Sequence, residues 1–190
     1  MILGLFMISC IAPKQPIKIN NIKIDFTNYI EALNQKKFTQ SIDYFEPTFF
    51  KLVSREELMN VLEEFYNSPD SELKMTNLNY MNFGEAKVVE NITYVIFEYS
   101  KIMQMRVRGK ENETAEDKEY RVKLSADTYN DSFGAKNVSY NSRTDFFEVY
   151  SEEKVLAVSS NGKVNWKFIV LDDEYIDIFK SIVPEEVLVY

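Results

Sequence analysis

The chain has 190 residues, 45% of them apolar, 27% charged and 14% aromatic, with only five glycines and five prolines; this balance suits one folded domain and excludes long flexible linkers, collagen-like repeats and low-complexity disorder. A net charge of -8 with scattered basic residues repels phosphate backbones and sets nucleic acid aside as a partner. The absence of histidine and the presence of one cysteine, Cys10, remove Ser/His/Asp and Cys/His catalysis, internal disulfides and zinc sites, so no metal or cofactor is implied and any catalysis runs on Asp, Glu, Tyr or Lys.

Met1 to Ile8 form an unbroken apolar run ending in Ser9 and Cys10. The run is too short to cross a bilayer but fits the apolar part of a signal segment over residues 1–10. The tetrad Met7, Ile8, Ser9, Cys10 resembles a bacterial lipobox, which implies a lipid attached to Cys10 and a place in the bacterial cell envelope. The other reading is a cytoplasmic protein with an apolar N-terminal tail and a buried free thiol. Residues 11–24 then read as a tether, since Pro13 and Pro16 oppose a helix while Ile17, Ile19, Ile22 and Ile24 anchor it, and the folded domain runs over residues 25–190.

The apolar period changes once along that domain, from helical to alternating, which predicts an α+β fold. Phe26, Tyr29, Ile30, Leu33, Phe38, Ile42 and Phe45 recur at three and four around a polar knot at residues 34–37, predicting two short helices capped at Asp25, Thr27 or Asn28. Ser54 with Glu57 forms a capping box ahead of a third helix that stops before Pro69. A strand pattern starts at Leu73. From Tyr94 to Arg108, Val95, Phe97, Tyr99, Met103, Met105 and Val107 share one face of a long half-buried strand, which at about 3.3 Å per residue must bend or bulge. Residues 109–119 read as a charged, mobile loop. A helix follows from Val122 to Phe133 with Gly134 as a left-handed cap, then strands near 143–150, 153–159 and 164–171, the last two joined by a turn at Ser160, Asn161 and Gly162. Asp172 or Asp173 caps a terminal helix ending at Pro184.

The opening Tyr29 to Phe45, the sheet after it and the closing strand Asn165, Trp166, Lys167, Phe168, Ile169 together resemble the nuclear transport factor 2 superfamily. That family is a cystatin-like α+β cone, in which N-terminal helices pack in the concave face of a curved antiparallel sheet, with a C-terminal helix. The closing strand and Ile182, Val183, Pro184 also resemble small lipoproteins of Bacteroidetes-type bacteria. The resemblance implies a cone with a pocket, and the first reading is a noncatalytic domain that exposes it to a small apolar ligand or an envelope partner protein. Tyr29, Glu98, Tyr99 and Trp166 are the candidate binding residues, with Met103, Met105, Phe146 and Phe147 as possible apolar lining. Enzymes of the superfamily use Asp, Tyr and His. With histidine missing, an Asp or Glu base and a Tyr donor, drawn from Tyr29, Asp43, Tyr44, Glu98 and Tyr99, are what an alternative lyase or isomerase reading requires. A third reading is a soluble domain that dimerises through its sheet.

Overall fold

The computed structural model describes residues 17–188, so Cys10 and the run before it lie outside the described residues. The three-and-four spacing of apolar residues produces helix α1 (Ile19–Asn34), whose buried stripe is Ile22, Phe26, Tyr29, Ile30, Ala32 and Leu33. The helix starts six residues ahead of the predicted domain boundary, because Ile22 belongs to the same stripe and is fully buried. Residues 19–24 are therefore helix rather than tether, and Asp25, Thr27 and Asn28 lie inside the helix instead of capping it. Asp25 does other work: its Oδ2 accepts the backbone N–H of Trp166 at 2.9 Å. Helix α2 (Phe38–Ile42) and a 3-10 turn (Pro47–Lys51) lead to α3 (Arg55–Asn67), where Ser54 and Glu57 form the predicted capping box.

Six strands follow: β1 (Ser71–Phe83), β2 (Lys87–Val89), β3 (Ile92–Val107), β4 (Val138–Asn141), β5 (Phe146–Ser159) and β6 (Lys167–Leu171). They make one antiparallel sheet in the order β1-β3-β5-β4, with β2 added to β3 and β6 to β5. The strands expected at 143–150 and 153–159 are a single strand. The polar residues that suggested a break are paired to β3, Ser151 opposite Lys101 and Glu152 opposite Ser100. The irregularity expected of the long strand falls on its partner: β1 slips register between Thr76 and Asn79 and again between Tyr80 and Phe83, with Asn77 at φ 54°. The link from β5 to β6 is a longer loop, residues 160–166, folded around the Ser159 hydroxyl and the Asn161 side chain.

The second half of the segment read as a mobile loop, residues 115–119, is helix. Thr114 and Asp117 form a second capping box that starts α4 (Ala115–Phe133), and polar composition had concealed a solvent-facing helix. Arg121 fastens it, donating to Glu113 from Nε at 2.7 Å, to Asp145 at 3.0 Å and to the Val107 carbonyl at 2.7 Å. Gly134 ends the helix at φ 81° and ψ 131°, a positive-φ position but not the left-handed helical cap expected. The terminal helix is broken into α5 (Ile176–Phe179) and α6 (Glu185–Leu188), with Asp172 capping the turn ahead of α5.

Both faces of the central strands are covered, so the middle of the sheet reads as continuous apolar sequence rather than strict alternation. On one face α1 packs Ile22, Phe26, Tyr29 and Leu33 against Val95, Phe97, Tyr99, Val155, Ala157 and Phe168. On the other, Phe179, Val183, Val187 and Leu188 pack against Tyr94, Leu156, Val158, Ile169 and Leu171. Phe26 is the hub of the first face, its ring within 4.8–5.1 Å of those of Tyr99, Phe97 and Phe168 in edge-on geometry. Asn34 caps the edge of β1, accepting the Met75 N–H at 2.9 Å and donating to its carbonyl at 2.7 Å. Because Met75 is buried, Asn34→Ala is expected to cost about 1–3 kcal/mol through an unpaired N–H and C=O. Urea unfolding measures it, and an unchanged midpoint would show that the edge needs no such partner.

Candidate functional site

Along the α1-facing side of β5 the side chains run Phe147, Val149, Ser151, Glu153, Val155 and Ala157. Phe147 lies under α4, edge-on to Tyr129 with ring centroids 5.1 Å apart, whereas Val155 and Ala157 lie in the core under α1. Ser151 and Glu153 therefore occupy the seam between two helical covers. Across the register Tyr99 stands opposite Glu153 and Lys101 opposite Ser151, which brings a cation, an anion and two hydroxyls together on one patch of sheet.

The four groups are mutually satisfied. Lys101 Nζ donates to Glu153 Oε1 at 2.5 Å and to the Tyr99 hydroxyl at 3.2 Å, Ser151 donates to the same Oε1 at 3.2 Å, and Tyr99 donates to Oε2 at 2.5 Å. The Lys101 side chain is 8% exposed and that of Glu153 27%, so solvent reaches the carboxylate but scarcely the ammonium. Burial pushes the Glu153 carboxyl up, but Lys101 and the three hydrogen bonds outweigh it and hold the group below its ordinary 4.5. The Tyr99 hydroxyl goes strongly the other way, raised by burial and by the Glu153 charge beside it. Two further phenols feel that charge: Tyr29 on α1, raised by burial, Tyr66 and Glu153, and Tyr66 on α3, pushed up to about 12 by burial and Glu153. All three tyrosines stay protonated, and Tyr99 donates to the carboxylate.

The structure divides the candidate residues among three places. Tyr99 belongs to this patch with Lys101, Ser151 and Glu153, and Tyr29 and Tyr66 lie in the same core, where the Glu153 charge raises both. Glu98 is on the opposite face, accepting from Asn82 Nδ2 at 2.7 Å and lining a groove of about 450 Å3 with Met81, Glu152, Lys154, Leu171 and Asp172. Trp166 is fully buried among the core residues, its indole N–H without an acceptor among the described residues; its ring is core packing rather than a stacking surface for a ligand. Asp43 is mostly exposed and paired with Arg55 at 2.6 Å, and Tyr44 stacks on Phe168. Met103 packs against the first core, while Phe146 lies beneath the Arg106 guanidinium, across the sheet from Phe147. Among the described residues no three acidic side chains converge as a metal cage.

No known protein family matches the sequence, and no curated protein or solved structure is detectably similar to it.

The patch makes a signed prediction about acid stability. A carboxyl whose folded value is depressed stabilises the protein above its unfolded value and loses that contribution as pH falls from about 4.5 through the folded value. Glu153→Gln is expected to flatten this acid limb in chemical unfolding measured at stepped pH. Lys101→Met, which strands a partly buried anion, is expected to cost about 1.5–3 kcal/mol at pH 7, with much of the loss recovered in the Lys101→Met, Glu153→Met pair. Additive losses in the pair would refute the coupling.

Proposed function

We propose that this chain is a noncatalytic binding domain of the nuclear transport factor 2-like cone type, tethered by a lipid on Cys10 to a bacterial envelope, as small Bacteroidetes-type lipoproteins are. The observation that carries the binding half is the state of Glu153. It is the carboxylate that shares a buried patch with tyrosine hydroxyls, and it is ionised, held by Lys101 and occupied on both oxygens. A base of depressed pKa with its lone pairs engaged is poorly matched to removing a proton from carbon at neutral pH. What the patch offers is recognition: protonated phenols at Tyr29 and Tyr66, beside the apolar Met59, Leu62 and Met103 that pack against the same core. That combination suits a small apolar ligand carrying a carbonyl or hydroxyl acceptor.

The six-stranded antiparallel sheet with α1 across one face supports the cone reading, as does the double register slip in β1, an irregularity of the kind that bends strands. The tether rests on the tetrad Met7, Ile8, Ser9, Cys10. Among the described residues no helix is long and apolar enough to cross a membrane.

One observation favours a second reading, a lyase or isomerase: a tyrosine hydroxyl does stand 2.5 Å from a buried carboxylate, and Glu153 is its base. The two readings separate in one experiment. Saturable binding of medium-chain ketones or alcohols, weakened about fivefold or more by Tyr29→Phe with Tyr66→Phe and unaccompanied by exchange of the ketones' α-hydrogens into D2O, supports binding. Glu153-dependent exchange would establish the enzyme, and no saturable binding would overturn the ligand-binding reading. Intact mass of the membrane-extracted protein tests the tether, with diacylglycerol on Cys10 expected and an unmodified soluble product overturning it.

A further inference from the structure

One edge of β5 carries two neighbours in line. β4 pairs with it from Phe146 to Val149 and β6 from Lys154 to Val158. Tyr150, Ser151, Glu152 and Glu153 between them are paired to β3 on one side and, among the described residues, to no strand on the other. Residue parity shows which backbone groups face that gap. Phe168 of β6 points its N–H and C=O away from β5, to Tyr44 and Glu46, so its neighbours Lys167, Ile169 and Leu171 point theirs toward β5 and toward the even-numbered Val158, Leu156 and Lys154 opposite them. The Ser139 hydroxyl reaches the Glu148 carbonyl from β4, which gives the same parity at the other end. With an unbroken register between, the N–H and C=O groups of Tyr150 and Glu152 face outward, and among the described residues no backbone group pairs with them.

The gap is open on both flanks. A groove of about 430 Å3 lined by Ser132, Phe133, Lys136 and Asn137 reaches Tyr150, Ser151 and Glu152; the groove of about 450 Å3 beside Glu98, Leu171 and Asp172 reaches Glu152, Glu153 and Lys154. Glu152 belongs to both. The C-terminal flank is acidic: Glu98, Glu152, Asp172 and Asp173 surround one lysine, Lys154, which is paired with Asp173 at 3.6 Å. The Tyr150 hydroxyl donates to Glu152, which lays the ring and the carboxylate side by side along the edge.

We infer that this interrupted edge of β5 receives an extended peptide strand from a partner protein, inserted antiparallel between β4 and β6 and paired to the backbone of Tyr150 and Glu152. Main-chain hydrogen bonds supply the attachment and side-chain pockets the selectivity. A residue opposite Glu152 projects over the acidic flank and is Lys or Arg; the residue two further along, opposite Tyr150, is apolar and covers the ring. Running antiparallel, the segment reads basic, any, apolar from its N-terminus. This edge adjoins the ligand patch, whose Ser151 and Glu153 side chains belong to the other face of β5 from those of Tyr150 and Glu152, and it holds whether or not Cys10 is lipidated.

The test uses the full chain and the labelled peptide acetyl-Thr-Lys-Thr-Val-Thr-amide. Amide exchange by NMR is expected to be fast at Tyr150 and Glu152 in the peptide-free protein, unlike their neighbours in the β3 register, and to slow at least about tenfold with peptide up to about 1 mM. Replacing the peptide's Lys by Glu, or Glu152→Lys in the protein, weakens binding by about tenfold. N-methylation of the peptide backbone abolishes it without touching the protein's fold. Protection of both amides before peptide is added, protection that appears only at high protein concentration and so marks a second copy, or binding that leaves the two amides unprotected would each overturn the inference, as would no binding at all.

Discussion

The unbroken register between β3 and β5 is the constraint on which the rest of the molecule depends. Thirteen consecutive pairs run from Thr93 opposite Ser159 to Met105 opposite Phe147, and a strand alternates faces with a period of two. A slip of one residue would turn Phe97, Tyr99 and Val155 toward the C-terminal helices and drive Glu98 and Lys154 beneath α1. Two cores on opposite sides of the sheet punish such a slip twice, because each face has its own apolar set and its own cover. The register also places Lys101, Ser151, Tyr99 and Glu153 in one contact, so the buried ion pair is a consequence of the pairing and one of its guards.

This economy has a local cost. A buried lysine and glutamate contribute less to stability than apolar residues of the same volume would, and their retention commonly reflects specificity or use. The patch offers both. It rejects alternative registers, and it leaves a carboxylate 27% exposed whose charge is felt by the buried phenols of Tyr29 and Tyr66. The opposite edge of β5 is equally asymmetric. Where most of the strand is paired on both sides, the stretch from Tyr150 to Glu153 is paired on one, and the charged side chains there discourage indiscriminate edge-to-edge association.

Much of the fold was legible from pattern alone. The α+β class, the helix after Ser54, the long strand through Tyr99 and the helix ending at Phe133 all follow from apolar spacing or capping chemistry, which are local. The errors have physical causes. Ser151 and Glu152 read as a break because polar residues inside a strand look like a turn until their partners are known. Residues 115–119 read as a loop because a solvent-facing first turn carries no apolar stripe, though Thr114 followed by Asp117 was a capping signal. Residues 19–24 read as tether because the two prolines outweighed the spacing of Ile19, Ile22 and Phe26. The ion pair had a signal as well: in the stripe Val95, Phe97, Tyr99, Met103, Met105, the missing member is Lys101, and between Val149 and Val155 the missing members are Ser151 and Glu153. Two interruptions in two apolar stripes are the trace of a polar patch.

What this sequence determined unaided is what one segment at a time can express: class, helix caps, which side of a strand is apolar, and the chemistry that the lack of histidine forbids. The tertiary structure alone decided which interruptions meet, that Tyr29 and Tyr99 share a core while Glu98 faces the other way and Trp166 is sealed in the core, and that a strand edge stays open between two short neighbours. These are relations between strands, some of them between residues more than 50 positions apart, and cross-strand pairing, not local periodicity, brings such residues within hydrogen-bond reach.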